Sequence, residues 1–183
     1  MEINKIIYNE IMEERKRLEI NAPPTYTDNN GLGANFIVKC SENAQDVASL
    51  ARDVMLILNY QYDNDKWLEL NDWINILPHK FVTRCSPEMS EEDIKTYKKR
   101  WFSLSYRKKV KEIKKNEDWS LSSWLFWLKP SERSWFWWGA AVLDEQYFVF
   151  SVKALDSPFM FGALKWLFIG CGALEVIEES DFR

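Results

Sequence analysis

Residues 119–173 read WSLSSWLFWLKPSERSWFWWGAAVLDEQYFVFSVKALDSPFMFGALKWLFIGCGA, and they hold seven of the ten tryptophans in a chain of 183 residues. Aromatic side chains bury roughly 150–250 Å² each. A stretch this dense must dominate a core or form a binding surface. Its internal spacing resolves into elements. Leu121, Trp124, Leu125 and Leu128 recur at helical spacing, with Ser120 as cap and Pro130 as stop. Residues 134–143 and 146–153 read as two strands of a hairpin around Asp144-Glu145. Asp-Glu is a poor pair for a two-residue turn, so the turn should involve more residues. Ser157-Pro158 supplies an N-cap and a first-turn proline for a last helix, which Gly170 and Gly172 end. Leu174, Val176 and Ile177 suit a final strand.

Within the hairpin, alternation sets Trp135 and Trp137 on one face and Phe136 and Trp138 on the other. Neither face is polar, so the sheet needs cover on both faces or exposes one. Phe159, Ala163, Leu164, Leu167 and Phe168 provide a helical face for one side, and core is the expected fate of most of these rings.

Upstream, helical patterns dominate. Ile3, Ile7, Ile11 and Leu18 share a face, with Glu and Lys/Arg on the other. Residues 21–33 (NAPPTYTDNNGLG) read as loop, and 35–40 (NFIVKC) as a short strand. A helix follows, with Asn43 as cap and Val47, Leu50, Ala51, Val54 and Leu58 on one face. After a polar break at 60–65, Trp67, Leu70, Ile74 and Leu77 predict a helix ended by Pro78. Residues 81–85 fit a strand or an irregular link. Ser90 and Asp93 form a capping-box signal for a helix to about Trp101, continuing with a bend or break toward Lys115. The chain is thus expected to be one α+β domain over residues 1–183. Its first two-thirds are mainly helical, and a small, largely antiparallel sheet gathers the C-terminal strands, with 35–40 as a candidate further strand.

Composition excludes several classes. A hydrophobic fraction of 46% gives ample apolar surface against ordering entropy. Net charge of −4 and a pI near 5.2 argue against general nucleic-acid binding. Cys40, Cys85 and Cys171 lack metal-type spacing and are expected to be reduced thiols. The N-terminus carries no signal-like apolar run, and the longest apolar run, 159–173, is broken by Lys165 and too short to span a bilayer. A cytoplasmic protein without a membrane span or cofactor is expected.

No catalytic constellation stands out. His79 is the only histidine and follows a helix end, where a surface histidine is the simpler reading. Gly31-Leu32-Gly33 precedes a strand rather than following one, the wrong order for a dinucleotide loop. Gly170-Cys171-Gly172 sits at a helix C-terminus, where the dipole repels phosphate. Carboxylate pairs such as Glu91/Glu92 read as solvated faces.

The strongest charge feature comprises Lys95, Lys98, Lys99, Arg100, Arg107, Lys108, Lys109, Lys111, Lys114 and Lys115. These are ten of the 24 basic residues, with Glu112 the one acidic residue among them. Trp101, Phe102 and Tyr106 interleave. Such a stretch can hold single-stranded nucleic acid. The helical spacing of Tyr97, Trp101 and Leu104 instead predicts a wet basic face with its aromatics turned inward. The remainder of the chain is acidic, including Asp63, Asp65, Glu69 and Asp72, and Glu175, Glu178, Glu179 and Asp181.

The order W-S-L-x-x-W-L-x-W-x-x-P, R-x-W-x-W-W-x-A, P-F-x-x-G-A-L-x-W-L and a closing G-A occupies residues 119–130, 133–140, 158–167 and 172–173. This pattern resembles a family of small bacterial proteins associated with polymorphic toxin loci, including contact-dependent growth inhibition. The resemblance covers about the last third of the chain. It implies an immunity protein without catalytic activity, bound to the C-terminal domain of a cognate toxin. A nuclease toxin must be basic to hold nucleic acid, so the two acidic groups named above are the expected contacts. The alternative is a nucleic-acid-binding module built on the basic stretch.

Overall fold

The computed structural model describes residues 5–24, 32–41, 43–64, 66–109, 118–155 and 161–179. Helix α1 (Lys5–Glu19) precedes strand β1 (Leu32–Cys40), followed by α2 (Ala44–Gln61), α3 (Leu70–Ile76), α4 (His79–Val82) and α5 (Glu91–Ser103). Helix α6 (Leu121–Trp127), strands β2 (Trp135–Val142) and β3 (Tyr147–Ala154), helix α7 (Gly162–Cys171) and strand β4 (Ala173–Glu178) complete the order. The strands form one antiparallel sheet in the order β2-β3-β1-β4. This is the expected α+β arrangement.

One sheet face carries Phe36, Val38, Phe148, Phe150 and Val152, all buried. Phe150 meets Trp137 at 4.6 Å and Phe168 of α7 at 4.7 Å, both edge-on. Edge-on approach sets the positive rim of one ring on the negative face of the next. Helix α6 docks on α7 through the Trp124 indole, which donates to the Ala163 carbonyl at 2.9 Å. The Phe81 ring of α4 lies so close to Gly170 that a Cβ there would sit 2.6 Å from it. Most rings of the Trp-rich stretch are therefore core: Trp124, Trp135, Phe136, Trp137 and Trp166 are all buried.

Several local expectations change. Asn43 precedes α2 in a left-handed conformation (φ 57°) and its side chain makes no capping bond. Strand β1 begins at Leu32, inside the stretch expected to be loop, because its pairing with β3 runs as far as Ala154. Residues 79–82 form a helical turn, and the bridge from Ser86 to Ser120 follows. The hairpin turn spans four residues, with Asp144 Oδ1 accepting from the Gln146 and Tyr147 amides at 2.8 Å each. Gly172 (φ 114°) is the C-cap of α7, while Gly170 lies inside the helix. The proposed Ser157-Pro158 start and Phe159 fall outside the described residues.

The second face of β2 is covered by α1, not by a C-terminal helix. A register shift between Trp137 and Gly139 leaves Trp138 as an extra residue. The Arg17 guanidinium lies 3.7 Å from the Trp138 ring centroid and donates to the Trp138 carbonyl at 3.1 Å. Glu14 is buried between Ile11 and Leu18, on the face the pattern reserves for apolar residues. Its Oε1 accepts from the Trp137 amide at 2.6 Å and from Arg133 Nη2 at 2.7 Å, and its Oε2 accepts from Asn59 Nδ2 at 2.9 Å. Arg133 also donates to the Trp135 carbonyl and, at 2.8 Å, to the Tyr62 hydroxyl, which donates onward to the Leu128 carbonyl at 2.5 Å. The Ala140 amide donates to the Ala22 carbonyl, and Gly139 admits this crossing because a Cβ would lie 2.2 Å from the Pro23 carbonyl oxygen.

Two stability tests follow from this network. Arg133→Met leaves the Glu14 charge buried without its partner and should lower the urea-unfolding free energy by about 3–5 kcal/mol. Adding Glu14→Gln removes the stranded charge while keeping an acceptor for the Trp137 amide, so the double variant should recover part of the loss. Equal stability of single and double variants would show that charge pairing is not the issue. Burial pushes the Tyr62 phenol up to about 12, opposed by the Arg133 cation. A raised phenol favours the folded state below the unfolded value near 10, and that contribution is lost as pH climbs to about 12. Denaturant titrations across this window should show a steep fall in stability, smaller in Tyr62→Phe. An identical fall in both proteins would remove Tyr62 as its source.

Candidate functional site

The acidic residues singled out in the sequence occupy two separate places. Asp63, just after α2, accepts from Arg15 Nη1 at 2.7 Å and from Nη2 at 3.0 Å. The hydrogen bond from Arg15 holds its carboxyl below the usual range. Its charge is thus partly balanced within the chain. Glu69 is the N-cap residue of α3, and its side chain makes no cap bond. Asp72 lies in the first turn of that helix. Both are exposed, and negative charge there favours the helix N-terminus.

Helix α3 is held rigidly from beneath. Trp73 is buried, Trp67 approaches it at 4.8 Å, and Tyr62 stacks on Trp67 at 5.7 Å. Trp67, Leu70 and Trp73 then line an open cleft of about 180 Å³ with Leu125, Phe126 and Lys129. Phe126 remains 44% exposed. An apolar floor beside exposed carboxylates has the anatomy of a protein-binding patch, with aromatic anchors within and polar groups at the rim.

Glu175, Glu178 and Glu179 lie on or just after β4, the sheet edge opposite β2. All three are exposed, and Glu179 accepts from Asn35 Nδ2 at 3.0 Å. Leu174 is exposed on the same strand. The sheet order separates this group from Asp63, whose partner Arg15 sits on α1 against β2. Asp65 and Asp181 fall outside the described residues.

The basic stretch differs from its expectation. No residue of α5 is buried among those described. Tyr97, Trp101 and Leu104 are half-buried, whereas Phe102 is 78% and Tyr106 82% exposed. The aromatics are not turned inward as a set. The helix stops at Leu104 in an extended conformation (ψ 139°), and a further helical turn occupies 106–109. Lys111, Lys114 and Lys115 lie outside the described residues. At its start, Ser90 and Asp93 form the expected capping box.

Other groups with chemical potential are occupied or masked by packing. His79 is exposed at the start of α4, as the surface reading expects. The cysteines are free, with Cys40 and Cys171 buried and Cys85 half-buried. Burial pushes the Cys85 thiol up to about 11 and raises the other two as well, so thiolate chemistry is suppressed. A cleft of about 410 Å³ includes Glu88 and Asp118, but Glu88 accepts from the Ser122 amide and hydroxyl at the start of α6. Among the described residues, no three His, Cys, Asp or Glu side chains gather as a metal site, and no helix is long and apolar enough to cross a membrane.

No family model, curated protein or solved structure matches the chain.

Sequence reasoning missed Glu14, Asn59 and Arg133 as buried polar residues. The one available signal was Glu14 itself, a carboxylate placed between Ile11 and Leu18 on an otherwise apolar stripe. Thiol burial has a direct readout. With excess aromatic disulfide reagent at about pH 8, the native chain should react slowly and at fewer than its three thiols. All should react after unfolding in guanidinium. Rapid reaction of Cys40 or Cys171 in the native protein would contradict their burial.

Proposed function

We propose that this chain is a cytoplasmic immunity protein of a bacterial toxin locus. It binds the C-terminal domain of a cognate toxin, a basic nuclease, and silences it by occupying its nucleic-acid-binding face. No catalysis and no cofactor enter this reading. The class comes from the Trp-rich resemblance of residues 119–173. The observation that carries the binding mode is the placement of Glu69 and Asp72 on an anchored helix beside the apolar cleft of Trp67, Leu70 and Phe126.

Carboxylates on exposed, rigid elements suit this task. They attract a basic partner before contact, raising the rate of encounter, and they disfavour acidic partners by like-charge repulsion. Their side chains stay hydrated until binding, so they exact little stability from the free protein. The cleft supplies apolar contact that charges alone cannot. The glutamates of β4 form a second acidic rim for a partner large enough to reach it.

The test is a titration with the toxin domain encoded beside this chain, followed by calorimetry and a nuclease assay. A one-to-one complex and loss of nuclease activity at that ratio are expected. Glu69→Lys/Asp72→Lys should slow association, with the deficit growing as salt is lowered. Glu175→Lys/Glu178→Lys reports separately on the second group. No heat at micromolar concentrations would overturn the reading, while normal association of both charge variants would overturn only its electrostatic part.

A further inference from the structure

We infer that α5 and the turn after it form a binding arm for single-stranded nucleic acid, distinct from the acidic surfaces described above. Helix α5 opens with Glu91, Glu92 and Asp93 in its first turn, beyond which, from Ile94 to Lys109, the chain carries seven Lys or Arg and no Asp or Glu. Lys98 and Lys99 lie one turn before Phe102 on α5, and Arg107 and Lys108 follow Tyr106 directly; all are exposed. Phe102 and Tyr106 flank the break at Leu104, with most of each ring in water.

That combination has a specific cost and a specific use. Large exposed rings carry an unfavourable hydration term that a core position would remove. Here they sit among cationic side chains, and a polyanion with exposed planar bases relieves both penalties together. Phosphates neutralise the cations, and unstacked bases cover the rings. A duplex hides its base faces and can satisfy only the charges. An apolar peptide would cover the rings and leave the charges unmatched.

The inward side of the arm is already engaged. Tyr97 stacks on Trp101 at 6.0 Å, and the Lys109 ammonium lies 5.8 Å from the Trp101 ring centroid. Ile94 joins Pro87, Met89 and Trp119 around the cleft at the arm's root. Tyr97 and Trp101 are thus half-buried against their own neighbours, while Phe102, Lys98 and Lys99 stay exposed. The acidic remainder of the chain repels nucleic acid and restricts binding to the arm, which is why a net charge of −4 does not exclude it.

The experiment is fluorescence anisotropy with labelled oligouridylate and oligothymidylate of about twelve nucleotides, and a duplex of equal length, in about 50 mM salt. Binding to both single strands and weaker binding to the duplex are expected, with affinity falling linearly in log salt. Lys98→Glu/Lys99→Glu/Lys108→Glu should abolish binding. Phe102→Ala/Tyr106→Ala should weaken it about tenfold while leaving the salt slope unchanged. All five positions are exposed, so circular dichroism and the thermal midpoint should not change. Absence of binding to either strand would overturn the inference. So would equal affinity for the duplex with no effect of the aromatic changes, which marks a general polyanion effect. Self-association lost in the charge variant, without nucleic-acid binding, would assign the arm to a second copy of this chain.

Discussion

Glu14 and Arg133 meet where water does not reach, and the rest of the fold is arranged around the demands of that contact. Strand β2 lies at the edge of the sheet, so half of its backbone groups face away from β3. Left bare, they would offer a template for another chain; buried without partners, each would cost free energy. Helix α1 closes this edge with side chains. Glu14 accepts from the Trp137 amide, Arg17 donates to the Trp138 carbonyl, Arg133 donates to the Trp135 carbonyl, and the chain after the helix supplies the Ala22 carbonyl to Ala140. A buried ion pair is not in general stabilising compared with apolar packing. Here apolar substitutes would orphan the backbone of β2, which is a reason for charge to be retained.

The same contact joins distant parts of the chain. Through Asn59 and Tyr62 it reaches the C-terminal half of α2 and its cap, and through Tyr62 it reaches Trp67 and α3. The acidic turn at Glu69 and Asp72 therefore rests on the residues that close the sheet. This coupling packs α3 against the core although it is only seven residues long. Among the described residues, helix α5 buries no side chain. Its half-buried Tyr97 stacks on Trp101, and Phe102 and Tyr106 are turned to solvent.

The two charged surfaces differ in sign and in support. Glu69, Asp72 and the glutamates of β4 stand on elements packed against the core, and the basic residues of 95–109 follow the acidic first turn of α5. A protein with mixed charge at every point would have weak fields and little preference among partners. Local excess of one sign strengthens the field at a surface and biases which charges approach it.

Much of this architecture was legible in the chain itself. The aromatic run of 135–138, the proline stop at 130 and the glycine at 172 report local geometry, and local geometry is set by neighbours in sequence. The sequence by itself determined the helix-then-hairpin order and the aromatic core, while the place of β1 between β3 and β4 came from the tertiary structure. It did not show that Glu14 is buried, that Trp138 is an extra residue in its strand or that Phe102 and Tyr106 face water. Each of these depends on contacts between residues far apart in the chain: Glu14 with Trp137 and Arg133, Trp138 with Arg17, and the packing that α5 does or does not find. Only the tertiary structure decided them, because a side chain's burial depends on what the rest of the fold brings against it, and periodicity records only the face on which it stands.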